Sequence, residues 1–254
     1  MKDILTLIAA LVLPRSFKPA VLRALGHKVH NSAVIRACVI WRTRLYLGPR
    51  AYIGPGNFIG CRAVLMREAT ELGWGNVLRG PFKLRSGYRA RIGNRNQISC
   101  AARAAPGKPQ SILWLAEDAR ITGQHAIDMT RSFKMGKHTH LAGRQSQVWT
   151  HGYVHARTGY ERARVDGAVF LGDNVYIGAF SCISPGSRVE NGITVGSHSS
   201  IAQHLTEPGV YVSQHLRYLD MDPYEARLNM ERDPDDQLDP DVRLKRTGEG
   251  IGSR

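Results

Sequence analysis

The chain has only four cysteines, Cys38, Cys61, Cys100 and Cys182, and no two of them stand in a C-x-x-C spacing. That argues against a zinc ribbon, gives no sign of a disulfide framework, and makes a reducing cytoplasm the simplest setting. A long apolar run is missing too. Ile4 to Leu13 is apolar apart from Thr6 and stops at Pro14, about ten residues where a membrane span needs about twenty. No basic stretch precedes that run and no small-residue cleavage site follows it, so a secretory signal is not expected. Arg36, Arg42, Arg44, Arg50, Arg62, Arg67 and Arg79 are scattered singly. Without a recognition-helix pattern or an aromatic platform motif, they argue against nucleic acid as a partner.

Acidic residues are scarce over most of the chain. Residues 1–219 carry 29 Lys/Arg against 11 Asp/Glu, whereas 220–254 carry 6 against 10. The body therefore favours an anionic membrane face or a phosphorylated cofactor or substrate, and charge alone does not choose between them.

What is present is a six-residue beat. Leu171, Ile177, Ile183, Val189, Val195 and Ile201 recur without a slip, and Val29, Ile35, Trp41, Leu47, Ile53, Ile59 and Leu65 repeat the pattern near the amino end. Neither a helix nor an ordinary strand has this period, but a parallel β-helix does. Its coils are prisms in which each side is a short strand and each corner a turn, with one aliphatic per side pointing inward. A second inward position, four residues later, sits near the corner: Ala33, Val39, Leu45, Ala51, Asn57 and Ala63, then Val175, Ser181, Ser187, Ile193 and Ser199. Gly48, Gly54, Gly172, Asn174, Gly178 and Gly196 supply the positive φ or tight backbone of the turns. The beat loosens over 66–114, and Ala101 to Pro109 reads as a loop leaving the prism.

These patterns give one domain in three parts: an apolar and basic helical segment (1–28), an all-β solenoid (29–219) with an excursion over 143–170, and an acidic tail (220–254). The tail is expected to hold a short helix around Pro223–Met230, then a poorly ordered end over Asp233–Asp241. Two readings of residues 1–13 stand. A cap would bury Ile4, Leu5, Ile8 and Leu11 on the open coil near Val29. An interfacial helix would lay them on anionic lipid, helped by Arg15, Lys18, Arg23 and Lys28.

The excursion opens with Val148-Trp149-Thr150-His151-Gly152 and includes His155, Glu161 and Asp166. The repeat restarts as Leu171-Gly172-Asp173-Asn174-Val175-Tyr176-Ile177-Gly178. Together with Met135-Gly136 and Leu141-Ala142 upstream, this resembles the hexapeptide-repeat acyltransferases, in the branch of maltose, galactoside and polysaccharide O-acetyltransferases. There a Thr-His pair precedes a loop of about twenty residues.

The resemblance implies a left-handed parallel β-helix, a homotrimer and acyl transfer from acetyl-CoA to a sugar or glycan hydroxyl, with no metal. It makes His151, and no other residue, the general base. By position alone His155 is a candidate to orient His151 or meet the acceptor, and Glu161 and Asp166 are candidate carboxylate partners, against the alternatives of a surface histidine and solvated loop charges. The resemblance places the thioester near Gly178, Ala179, Gly196 and Ser197. The family's Thr-Lys pair is here Ala202-Gln203, and its Gly-Asn-Pro-Ala stretch is Ser213-Gln214-His215-Leu216-Arg217, which leaves Gln203 and the cation of Arg217 for the far end of the donor. The implied location is cytoplasmic, with peripheral contact at the inner membrane face as an extension. Two other classes share this stacking. A γ-carbonic-anhydrase-like zinc protein would draw on His138, His140, His151 and His155, and a silent scaffold would need no site.

Overall fold

The computed structural model describes residues 1–100, 110–155, 157, 160–213, 217–220, 222, 231–232 and 243–244. Parallel strands wind into a β-solenoid of about nine turns. Face one stacks strands from Lys28–Val29 and Arg44–Leu47 through to His204–Leu205. Face two runs from Val34–Ile35 to Gly209–Val212, and face three from Val39–Ile40 through Ala126–Asp128 and Gln147–Val148 to Ser200–Ile201. Faces one and three share one sheet, because Phe58–Met66 and Val77–Ser86 bend round the corner between them without a break.

Like stacks on like. Leu171, Ile177, Ile183, Val189, Val195 and Ile201 are all fully buried, and each fully buried aliphatic side chain contributes about 1.5–3 kcal/mol. The amino-terminal beat slips in two places. Trp41 and Leu65 face outward, and Ile40, Val64 and Met66 take the inward places. Val39 likewise turns partly outward. The stretch 66–100 stays on the prism, with Leu72, Leu78, Leu84, Ile92 and Ile98 buried. The beat is lost there because the coils lengthen: Ile35↔Ile53, Ile53↔Leu72 and Leu72↔Ile92 are eighteen, nineteen and twenty residues apart. Each added corner residue shifts the phase of all that follows. The expected loop Ala101–Pro109 lies outside the described residues, as do the helix around Pro223–Met230 and the end over Asp233–Asp241.

The corner glycines serve close approach more than turn conformation. A Cβ on Gly54 would stand 2.5 Å from the Gly73 carbonyl oxygen, and one on Gly178 would stand 2.5 Å from the Ser197 nitrogen. Positive φ falls two residues later, on Arg50, Asn174, Phe180 and His198 among others. Of the residues expected to supply it, only Asn174 does.

A polar ladder runs up the corner between faces two and three. The backbone N–H of Asn76 donates to Asn57 Oδ1, and the N–H groups of Asn96, His125, Ser146, Ser181 and Ser199 each donate to the side chain one coil back. All seven side chains are at most 1 % exposed. Among the described residues no buried side-chain nitrogen or oxygen lacks a partner, so this ladder avoids the cost of unsatisfied polar groups.

The amino end is closed by α1 (Lys2–Val12) and α2 (Lys18–Ala24). The helix α1 caps the coil with small residues rather than the bulky ones: Thr6, Ala9 and Ala10 are buried, while Ile4, Leu5, Ile8 and Leu11 are 42–53 % exposed. The physical reason is distance, since Ala side chains let a helix axis sit close to the coil end already filled by Leu22 and Val29. Thr6 Oγ1 meets His27 Nε2 at 3.0 Å, and buried Lys18 donates to the Ala10 carbonyl.

Burial pushes His125 down to about 4. It stays neutral, its Nδ1 accepting from Ser146. The unfolded imidazole titrates near 6.5, so between about 6.5 and 4 the unfolded state binds more protons. Stability is then complete above about pH 6.5 and falls as pH drops toward 4, by on the order of 2 kcal/mol for this residue. His27, also pushed down by burial, adds in the same direction. His125→Asn continues the Asn57–Asn76–Asn96 ladder without a titrating ring. Denaturant unfolding from pH 7 to 4 is expected to show a shallower loss for the variant, and an unchanged slope would remove His125 as its source.

Candidate active site

The prism supplies its site at the corner where face three turns into face one. Ala126–Asp128 and Gln147–Val148 are consecutive strands on face three, with Ile127 opposite Val148. Stacking therefore brings Asp128 and the pair Thr150-His151 together across 23 residues of sequence. Asp128 Oδ2 accepts from His151 Nδ1 at 2.8 Å, from the Thr150 N–H at 3.1 Å and from the Thr150 hydroxyl. Its Oδ1 accepts from the Thr130 hydroxyl at 2.9 Å. Both side chains are largely buried, Asp128 at 3 % and His151 at 15 % side-chain exposure.

Burial by itself would push the Asp128 carboxyl up. Hydrogen bonds from Thr150, His151 and Thr130 outweigh it and hold the group below the usual carboxylate range. A carboxylate only accepts, so Nδ1 of His151 carries the proton and Nε2 presents a lone pair. Among the described residues Nε2 has no protein partner. Trp149 and Tyr153 stand edge-on to the imidazole, with ring centroids 6.3 and 6.2 Å away. The arrangement is an imidazole whose orientation and tautomer are set by a buried carboxylate.

The excursion is narrower than its sequence suggested. Residues 143–150 still belong to the coil, with Ser146, Val148 and Thr150 fully buried. The departure is an antiparallel hairpin, His151–His155 with Arg162–Asp166. Neither carboxylate proposed from this segment reaches His151. Asp166 is bound by Arg131 at 3.1 Å and Arg164 at 2.6 Å, and Glu161 is exposed. His155 is exposed and opposite Arg162 near the far end of the hairpin, roughly 13 Å along the strand from His151. It does not orient His151 within the chain.

Asp128 lies outside the excursion, 23 residues before His151, and reaches the ring only through stacking of the coils. The available signal was Ile127-Asp128-Met129-Thr130, a buried aliphatic followed by an acid at the same corner one coil earlier.

Gly178, Ala179, Gly196 and Ser197 lie in the turns that enter face three on the coils after the hairpin, across the face from His151. The space at Gly178 is filled by the chain's own next coil. Gly196 faces only ordinary contacts, the nearest being the Tyr211 carbonyl oxygen at 3.5 Å. Ser197 and Gln203 are exposed, and Phe180 stacks on His198 at 4.8 Å beside them. Arg217 begins a short strand paired with Gly209–Val212, while Gln214, His215 and Leu216 lie outside the described residues. Among the described residues no three His, Cys, Asp or Glu side chains converge on a metal-sized site.

Further up face three lies a depression of about 440 Å³ lined by Trp41, Phe58, Gly60, Val77 and Arg79. Gly60 leaves room for the Phe58 ring to lie along the sheet, since a Cβ there would stand 2.7 Å from it.

The sequence matches no known family profile and no curated protein. Solved structures with partial likeness include a mutant of AntD, an N-acyltransferase from Bacillus cereus in complex with dTDP and coenzyme A (14 % identity, 74 % of this chain and 82 % of that one, TM-score 0.31). Others are the polysialic acid O-acetyltransferase OatWY (16 %, 76 % and 82 %, 0.34) and a maltose O-acetyltransferase from Clostridium difficile 630 (14 %, 86 % and 82 %, 0.32). Likeness at this level carries no argument about this chain. Its own strand ladders make it a β-solenoid built on six-residue sides.

If Asp128 sets the tautomer, nitrogen-15 NMR of the neutral His151 ring is expected to show the proton on Nδ1. Asp128→Asn is expected to shift that population toward Nε2–H, and an unchanged spectrum would show that the carboxylate does not control the ring.

Proposed function

We propose that the chain is an O-acyltransferase that moves an acyl group, most simply acetyl, from a coenzyme A thioester to a hydroxyl on a sugar or glycan intermediate. The observation that carries this reading is the buried Asp128–His151 pair at the foot of the hairpin, with Nε2 unpartnered among the described residues. The Thr150-His151 motif and its spacing to Leu171-Gly172 support the reaction class. In this mechanism Nε2 takes the acceptor's hydroxyl proton as that oxygen attacks the thioester carbonyl. The tetrahedral intermediate collapses, the C–S bond breaks, and the imidazolium returns its proton to the leaving sulfur. Ester and free thiol result. Asp128 is a positioning residue that stabilises the transient imidazolium without touching substrate.

The donor is assigned to the edge of face three at Gly178, Ala179, Gly196 and Ser197, with Gln203 and Arg217 toward its nucleotide end. The sugar class rests on the resemblance carried by the Thr150-His151 motif; the depression at Trp41, Phe58 and Arg79 lies three to five coils from His151, roughly 14–24 Å at the strand spacing, and is not assigned to the acceptor. A homotrimer fits the hairpin, whose Tyr153, Val154, Tyr160 and Val165 are 47–101 % exposed and would be covered by a neighbouring prism.

In a thioester-cleavage assay over a panel of sugar acceptors, His151→Ala is expected to stay folded and lose about 10²–10⁴ in turnover. Asp128→Asn is expected to lose a large part of that, and His155→Ala much less. Retained turnover in His151→Ala would move the base elsewhere. Light scattering is expected to give about three times the 28.2 kDa chain mass. A fully active monomer would overturn the shared-groove assignment.

A further inference from the structure

The amino end of the solenoid carries an apolar surface that the fold leaves uncovered. Met1, Ile4, Leu5, Ile8, Leu11 and Val12 are 42–97 % exposed, as is Phe17 just beyond at 61 %. At 100° per residue the six positions from Met1 to Val12 occupy one continuous arc of about 120°. The opposite arc, with Thr6, Ala9 and Ala10, is the one spent on capping the coil. The helix is therefore fixed in place by its small side and presents its large aliphatic side outward. Leu22, Lys18 and the Thr6–His27 contact hold it there, so this face is a rigid feature of the end cap.

The charge around it is positive except for Asp3. From residue 4 to residue 67 the chain contains ten Lys and Arg and no Asp or Glu, and these residues form the two helices and the first coils. Lys2, Arg15, Arg23 and Lys28 are exposed around the cap. Asp3 is the one carboxylate before Glu68, and it lies in the first turn of α1.

We propose that this end docks on the surface of an anionic phospholipid bilayer, with the arc from Ile4 to Val12 seated at the headgroup–acyl boundary and the basic residues of the cap against lipid phosphates. An apolar arc calls for a partner with an apolar interior, and a surround in which Asp3 is the single carboxylate among many cations calls for one that is negative. An anionic membrane supplies both. A second copy of the chain would bring the same positive charge to the contact. No helix among the described residues is long and apolar enough to cross a membrane, so the contact is peripheral. The coil bearing His151 is the sixth along face three, so the site stands roughly 25 Å from the docked end at the strand spacing. This inference does not rest on the acyl-transfer reading.

The test is co-sedimentation of the full-length protein with vesicles of equal parts phosphatidylglycerol and phosphatidylcholine, and with phosphatidylcholine alone. Binding is expected to the first and not the second, and to weaken as salt rises. Ile4→Ser/Ile8→Ser/Leu11→Ser changes only exposed positions. It is expected to keep the wild-type melting temperature and lose at least roughly tenfold in vesicle affinity. Arg15→Glu/Lys28→Glu is expected to lose affinity comparably while remaining folded. His151→Ala is expected to bind vesicles as wild type, which separates failure of this proposal from failure of the catalytic one. The proposal is overturned if the wild type stays in the supernatant, if the triple variant still sediments like wild type, or if that variant instead lowers the molar mass in light scattering, which would make the face a contact between copies.

Discussion

Every feature of this molecule depends on each coil lying directly on the one before, aliphatic over aliphatic and corner over corner. The constraint is severe because the side-chain alternation of a strand has period two: a slip of one residue would exchange inside and outside along a whole side. The core meets it with columns of Ile, Leu and Val, and the corner between faces two and three meets it with hydrogen bonds. In that corner each buried side chain accepts the N–H of the rung above. A slipped register would leave those donors and acceptors buried and unpaired. Hydrophobic burial makes the prism stable; the polar ladder makes one stacking better than its neighbours.

The candidate site is a consequence of the same rule. Asp128 and His151 meet because Ile127 and Val148 occupy the same inward place on successive coils, which puts the residues that follow them at the same corner. Thr150 ties the two levels together, its hydroxyl and N–H both on Asp128 and its oxygen accepting from the Arg131 N–H. The carboxylate is thus held by coil backbone and a buried threonine rather than by the hairpin. Movement of the hairpin tip need not disturb the carboxylate, although His151 itself begins the hairpin strand.

What the sequence made legible was governed by coil length. Over 171–201 the coils run without added residues, and every expected inward position is inward. Over 66–100 the corners gain one or two residues, and the beat vanishes although the prism does not. The Thr150-His151 pair could be found because its signal is local. Asp128 could not be found by the same means, because its nearness to His151 exists only after stacking. The helix α1 shows another limit. Burial was expected for Ile4, Leu5, Ile8 and Leu11 because they are the most apolar, but helix-to-coil distance favoured Ala9 and Ala10, a choice that hydrophobicity does not rank.

Two acids flank the imidazole, and their surroundings give them different work. Asp166 is the cross-strand neighbour of His151 in the hairpin, and by sequence it is the nearer candidate. Its charge is taken up by Arg131 from the coil and Arg164 from its own strand, so it fastens the returning strand to the prism and has little left to offer the ring. Among the described residues Asp128 makes no ion pair with an arginine, although Arg164 lies close enough to feel its charge. Its oxygens accept from the Thr130 and Thr150 hydroxyls and from the backbone N–H groups of the same two residues, none of which carries a charge. These hydrogen bonds outweigh burial and keep the carboxylate charged, and the His151 ring is one of the donors. The arginines therefore fasten the returning strand at Asp166 and leave direct contact with Asp128 to hydroxyls, backbone N–H groups and the ring.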